Sequence, residues 1–114
     1  MIFLLDHKNR SVAKKIHSVF QNSYAVEAKI LGAEDFPPLK RTVSELKNSA
    51  SFFYGYYQKN LLLGVVETYS TKSSTHIQSL VVEPKHFRIG VGKSLVLFVL
   101  ENSSSVLFSV ETGL

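Results

Sequence analysis

Apolar residues recur along this 114-residue chain with two different periods. Ile2 to Leu5 is a short unbroken run that reads as a strand. From Arg10 the apolar positions Val12, Ile16 and Val19/Phe20 fall at helical spacing, with Lys14, Lys15, His17 and Ser18 between them. That spacing predicts an amphipathic helix ending near Asn22-Ser23, with a helical continuation from Tyr24 to Leu31 and Gly32 as its cap. Pro37-Pro38 makes residues 34–41 a loop, because proline has no N–H to carry a helix on. Thr42-Val43-Ser44-Glu45 has the form of a capping box opening a short helix through about Asn48.

After Ser51 the period shortens. Phe52 to Gln58 and Leu61 to Ser70 read as strands joined by Lys59-Asn60, a hairpin connection. Thr71 to Ser74 is a polar turn. Thr75 to Glu83 is the next strand, with Ile77, Leu80, Val81 and Val82 directed to the core. Gly90 to Asn102 is a helix. Its run Leu95 to Leu100 would also suit a buried strand, and the loop before it decides for the helix. Val106 to Thr112 is the last strand. The order β-α-α-β-β-β-α-β predicts an α/β protein with α+β layers, a mixed sheet flanked by helices.

Composition narrows the picture. A chain of this length has room for one domain and one core, and 45% hydrophobic residues are enough to fill it. There is no cysteine, which rules out disulfides, thiolate metal sites and a Cys nucleophile. The four histidines show no metal-ligand spacing, so no metal is expected. The net charge of +4 suits an anionic ligand. The basic residues come as pairs such as Lys14-Lys15 and Lys40-Arg41, not as a clustered face, so nucleic acid is not the expected partner. The apolar start is too short for a signal peptide, and Leu95 to Leu100 is far below the roughly 20 residues that span a bilayer. The expectation is a cytoplasmic protein with no membrane partner.

The candidate chemistry lies in Leu80-Val81-Val82-Glu83-Pro84-Lys85-His86-Phe87-Arg88-Ile89-Gly90-Val91-Gly92-Lys93-Ser94. A strand reaches a proline, a basic loop follows, and two glycines open a helix. Free N–H groups at a helix start and the helix dipole both favour a phosphate, and glycine lets the backbone approach it closely. A corner with glycines placed only for packing would give the same string. Gly92-Lys93-Ser94 also matches the end of a nucleotide P-loop, but Phe87 stands where that loop needs its first glycine.

Val82, Pro84, Gly90 and Gly92 fall in register with V-x-P-x-x-[RQ]-x-x-G-x-[GA], the acetyl-CoA motif of the GNAT superfamily of N-acetyltransferases, which this chain resembles. Phe87 departs from the pattern, with Arg88 one place later. Ser23-Tyr24-Ala25-Val26-Glu27-Ala28 and Phe36-Pro37-Pro38-Leu39 are similar to the N-terminal helices of some small bacterial members. The resemblance implies a mostly antiparallel GNAT sheet and acetyl-CoA as co-substrate. It places the coenzyme's diphosphate against the backbone of Phe87, Arg88, Ile89, Gly90, Val91, Gly92, Lys93 and Ser94. It lays the pantetheine arm along Leu80, Val81 and Val82 like an added strand.

The same resemblance implies direct transfer of acetyl to a primary amine, with the Val82 amide facing the thioester carbonyl. His76 occupies the place where some members carry a glutamate base; a partly exposed strand histidine without a role remains the alternative. Glu67 is a weaker candidate, read as a solvated charge on a strand face. GNAT domains usually continue with another helix and two more strands, so the single domain 1–114 is expected to be truncated after its fifth strand. The alternative is a non-catalytic CoA-binding or dimerising module that pairs through an open strand edge. The amine acceptor is unknown from the sequence.

Overall fold

A computed structural model describes residues 1–32, 36–86 and 90–103 of the chain, and the backbone of 106–108. Expectations that fall on Phe87, Arg88, Ile89 and the stretch after Phe108 lie outside the described residues. Five strands form one sheet in the order β1-β2-β3-β4-β5: Ile2–Leu4, Phe52–Gln58, Leu61–Ser70, Thr75–Val82 and Val106–Phe108. The first four are antiparallel, and β5 runs parallel to β4. The mixed, mostly antiparallel sheet flanked by helices is the one the sequence predicts.

Helix α1 runs without a break from Arg10–Leu31, which corrects the end expected near Asn22-Ser23. Asn9 starts it, its side-chain oxygen accepting from the amides of Ser11 and Val12. Gly32 ends it at φ 65, a left-handed conformation that glycine adopts without strain. The buried stripe Ala13, Ile16, Phe20, Tyr24 and Ala28 continues through the predicted stop. This single apolar face is why the helix does not divide. A 3₁₀ turn, Pro37–Lys40, and helix α2, Val43–Lys47, follow. The capping box is present in full: Thr42 Oγ1 accepts from the Glu45 amide, and the Glu45 carboxylate accepts from the Thr42 amide.

The pleat sorts the core into two clusters. Phe53, Val65 and Val81 pack with Ile16, Phe20, Tyr24 and Leu46 on the side of α1 and α2. Val66 and Ile77 pack on the opposite face with Val91, Leu95 and Val99 of α3, Val91–Glu101. These last three fall four residues apart, which settles the apolar run in favour of a helix. Gly64 brings α3 close: a Cβ there would lie 2.6 Å from Val91 Cγ1 and 3.1 Å from both Leu95 Cδ1 and the Val81 carbonyl oxygen.

Two irregularities in the ladder shape what comes next. Glu67 pairs with Ser79 while the following Thr68 pairs with Ile77, so Gln78 is an extra residue in β4. Such a bulge turns consecutive side chains toward one side and bends the strand. At the other end, β4 stops at Val82 and Pro84–His86 makes a 3₁₀ turn, as expected from a proline that adds no donor to the ladder. The Glu83 amide still donates to the Leu63 carbonyl, at 2.8 Å.

Candidate active site

Two features meet along β4: a helix start suited to an anion, and a pocket over the bulge. Gly90 precedes α3 at φ 83, and no side chain caps the helix there. A Cβ on Gly90 would meet nothing within 4 Å among the described residues. Among the described residues, a Cβ at Gly92 would touch only Val82 Cγ2 and Leu80 Cδ2, at 3.6 and 3.9 Å. Val91 is buried, Lys93 exposed and Ser94 half-buried. The Ser94 amide already donates to the Gly90 carbonyl, which leaves the earlier amides of the turn to a ligand. This arrangement fits a diphosphate.

The pantetheine candidates are divided by the pleat. Val81 packs into the α1 cluster, while Leu80 and Val82 lie against the α3 cluster. Val81 is buried, and Leu80 and Val82 are half-buried. Among the described residues, pairing of β4 with β5 ends at Ile77–Phe108, and β4 from Gln78 to Val82 has β3 alone as its neighbour.

A pocket of about 340 Å³ opens over the bulge in β4, lined by Phe20, Tyr24, Pro38, Arg41, Gln78 and Ser79. The bulge is what delivers both Gln78 and Ser79 to it. Burial holds the Tyr24 phenol above its ordinary range, outweighing the opposite influence of the neighbouring Ser79 side chain. Under the pocket, Arg41 Nη1 and Nη2 donate to the two carboxylate oxygens of Glu67 at 2.6 and 2.8 Å. The Arg41 side chain is 25% exposed and that of Glu67 is fully buried. The guanidinium also lies 5.7 and 5.8 Å from the ring centres of Phe20 and Phe53. The bonds to Glu67 hold Arg41 above its already high range.

Glu67 is therefore not a solvated strand-face charge: it is buried, and both its oxygens accept from Arg41. The pattern of the strand hid this, because an acid between Val66 and Thr68 reads as a surface position until its cation is known. Of this set, Tyr24 and Pro38 lie in the segments that carried the N-terminal resemblance, whereas Phe20, Arg41, Gln78 and Ser79 had no signal in the sequence.

His76 stands outside the pocket lining, two residues before Gln78. Its ring stacks on Tyr69 with centroids 4.6 Å apart, and its Nε2 lies 3.1 Å from Ser74 Oγ. Its backbone pairs with Tyr69 on one side and Leu107 on the other. On the far side of the loop, Asn22 of α1 donates to both oxygens of Glu83, tying the helix to the segment that leads to Gly90. Among the described residues no group of His, Asp or Glu is disposed to hold a metal ion, and no helix is long and apolar enough to cross a membrane.

A model of the GNAT acetyltransferase domain matches residues 11–110. The chain belongs to the GNAT acetyltransferase family. UPF0157 protein YqkA of Bacillus subtilis is 33% identical over 103 residues, which are 90% of this chain but only 30% of that protein. Solved GNAT structures share the fold at lower identity. The PaiA N-acetyltransferase of Thermoplasma acidophilum, in complex with coenzyme A, superposes with a TM-score of 0.69 at 15% identity, over 90% of this chain and 71% of that one. The ribosomal-protein-alanine N-acetyltransferase of Brucella melitensis gives 0.65 at 17%, over 96% and 79%. An aminoglycoside acetyltransferase from a soil metagenome, in complex with sisomicin, gives 0.65 at 16%, over 97% and 77%.

Proposed function

We propose that this GNAT domain transfers acetyl from acetyl-CoA to a primary amine held in the pocket above Gln78 and Ser79. The observation that carries the reading is the position of Gly90. Its left-handed backbone, uncapped by any side chain and with nothing among the described residues within 4 Å of a Cβ there, starts α3 beyond the end of the strand whose middle borders the pocket. Arg88, Gly90, Gly92 and Lys93 would take the diphosphate through their amides, each such bond contributing about 1.5–3 kcal/mol. The pantetheine arm would lie along the backbone of Leu80 to Val82 and deliver the thioester beside the bulge.

In the transfer, the lone pair of the neutral amine forms a C–N bond to the thioester carbonyl carbon, and the C–S bond breaks. The Val82 amide is the donor proposed for the carbonyl oxygen. The proton lost by the amine passes to His76, directly or through water, and the released thiolate takes up a proton to give CoA. Every step is direct, so no covalent enzyme intermediate is needed, in keeping with the lack of cysteine.

A second reading, a CoA-binding or dimerising module without turnover, has one observation in its favour. The outer strand β1 exposes Phe3 and Leu4 at 49% and 59%, an apolar edge suited to a second copy. Thiol release from acetyl-CoA in the presence of mixed amines, followed alongside calorimetric titration with acetyl-CoA, separates the two. Heat and turnover support the transferase. Heat without turnover on any amine supports the module, and no heat under several conditions removes both.

A further inference from the structure

The ion pair beneath the pocket is oriented. Glu67 is wholly buried at the base, and Arg41 is the member that reaches the pocket lining. Each terminal nitrogen of Arg41 spends one N–H on Glu67. The Nε–H and the second hydrogen of each terminal nitrogen have no hydrogen-bond partner among the described residues. Among the described residues, the remaining polar lining is Tyr24, Ser79 and Gln78, all neutral hydrogen-bonding groups, and none of these lining residues is an acid. The other carboxylate acting on Tyr24, Glu27, lies on α1 outside the lining. Glu45 acts on Arg41 likewise from outside the lining. A lining that presents a guanidinium and, among the described residues, no acid is poorly suited to an acceptor bearing several ammonium groups.

We infer that the acceptor taken here is a small primary amine that also carries a carboxylate, an amino-acid-like molecule whose carboxylate docks on the free edge of Arg41. The inference rests on the acetyltransferase reading and names the class of substrate for it. A guanidinium fork matches a carboxylate in geometry and charge, and the buried Glu67 keeps that fork in place by holding its inner edge. Phe20 and Tyr24 offer apolar walls for the rest of the molecule. A volume near 340 Å³ is at the small end of the range for ligand pockets.

The test compares each of the common amino acids with its own carboxamide, with spermidine and an aminoglycoside as polycationic controls, using the full chain and thiol release from acetyl-CoA. For at least one amino acid, kcat/KM should exceed that of the amide by about tenfold or more, the least that one lost charge-assisted hydrogen bond costs. Amides or polycations turned over equally well or better overturn the inference. A binding arm needs no turnover: N-acetyl amino acids and N-acetyl amino acid amides are titrated into the CoA-loaded protein. The acid should bind about tenfold tighter, and equal or undetectable binding of both overturns the inference. Arg41→Lys, which keeps the charge and loses the fork, should raise KM for the preferred acid and leave KM for acetyl-CoA unchanged. Should that variant fail to fold, the acid-to-amide ratio of the unaltered chain decides. Acetyl-CoA titration alone reports separately on the transferase reading, so the two can fail independently.

Discussion

Arg41 and Glu67 form a two-pronged ion pair in which the acid is entirely buried and the base reaches a pocket. Arg41 enters from the chain just before α2, and Glu67 comes from the middle of β3, so the pair ties the helical layer to the sheet. Its removal should be asymmetric. Arg41→Met strands a buried carboxylate and should cost about 3–5 kcal/mol, while Arg41→Met with Glu67→Met should regain most of that. Urea unfolding of the single and double variants checks it, and a single variant within about 1 kcal/mol of the parent would contradict the pairing.

Gly64 is a contact point between β3 and the start of α3. Gly64→Ala puts a methyl 2.6 Å from Val91 Cγ1 and against the Val81 carbonyl. The expected cost is about 1–3 kcal/mol, with weaker acetyl-CoA binding because the first turn of α3 is displaced. Thermal unfolding and calorimetry together test this. A variant of parental stability would mean that α3 sits further from the sheet.

Gly90 and Gly92 should respond differently. Gly90→Val forces a β-branched residue to φ 83 at the start of α3, a strain of about 1–2 kcal/mol. Acetyl-CoA binding should be lost. Gly92→Ala meets its neighbours at ordinary contact distance and should fold normally, with affinity reduced by less. Parental affinity in Gly90→Val would count against the diphosphate site.

His76→Ala should lower the rate at neutral pH by about a hundredfold, in the range of a lost general base, and leave acetyl-CoA affinity nearly unchanged. Since His76 stacks on Tyr69 outside the pocket lining, an unaltered rate would identify the stack as structural.

Burial holds the Tyr24 phenol above its ordinary range. Above about pH 10 the unfolded chain has lost this proton while the folded chain keeps it. The unfolded state then binds fewer protons, so stability falls as pH rises through that window. Tyr24→Phe should remove that part of the alkaline decline. Urea unfolding from pH 9 to 11 measures it, and parallel slopes for the two proteins would refute it.

Local chemistry made much of the fold legible. The Thr42–Glu45 box, the Gly32 cap and the strand bounds at Phe52, Gln58, Leu61 and Ser70 depend on neighbours within a few residues, and each is where the sequence puts it. The break expected at Asn22-Ser23 failed because two polar residues weigh less than a continuous buried stripe. The glycines of the corner were also legible, since a glycine at a helix start is a local property.

The pocket was not. It exists because one extra residue, Gln78, shifts the register of β4 against β3, and because Arg41 meets Glu67 across 26 positions of chain. Neither is written in a local pattern: a bulge depends on how two strands pair, and the state of a buried acid depends on which cation the fold brings to it. The residue pattern by itself determined the elements, their order and the glycine that opens α3, because periodicity, caps and turns act over short range. Only the tertiary structure decided which face of the sheet holds a charged pocket and which end of its ion pair points outward, because both follow from contacts between residues distant in the chain.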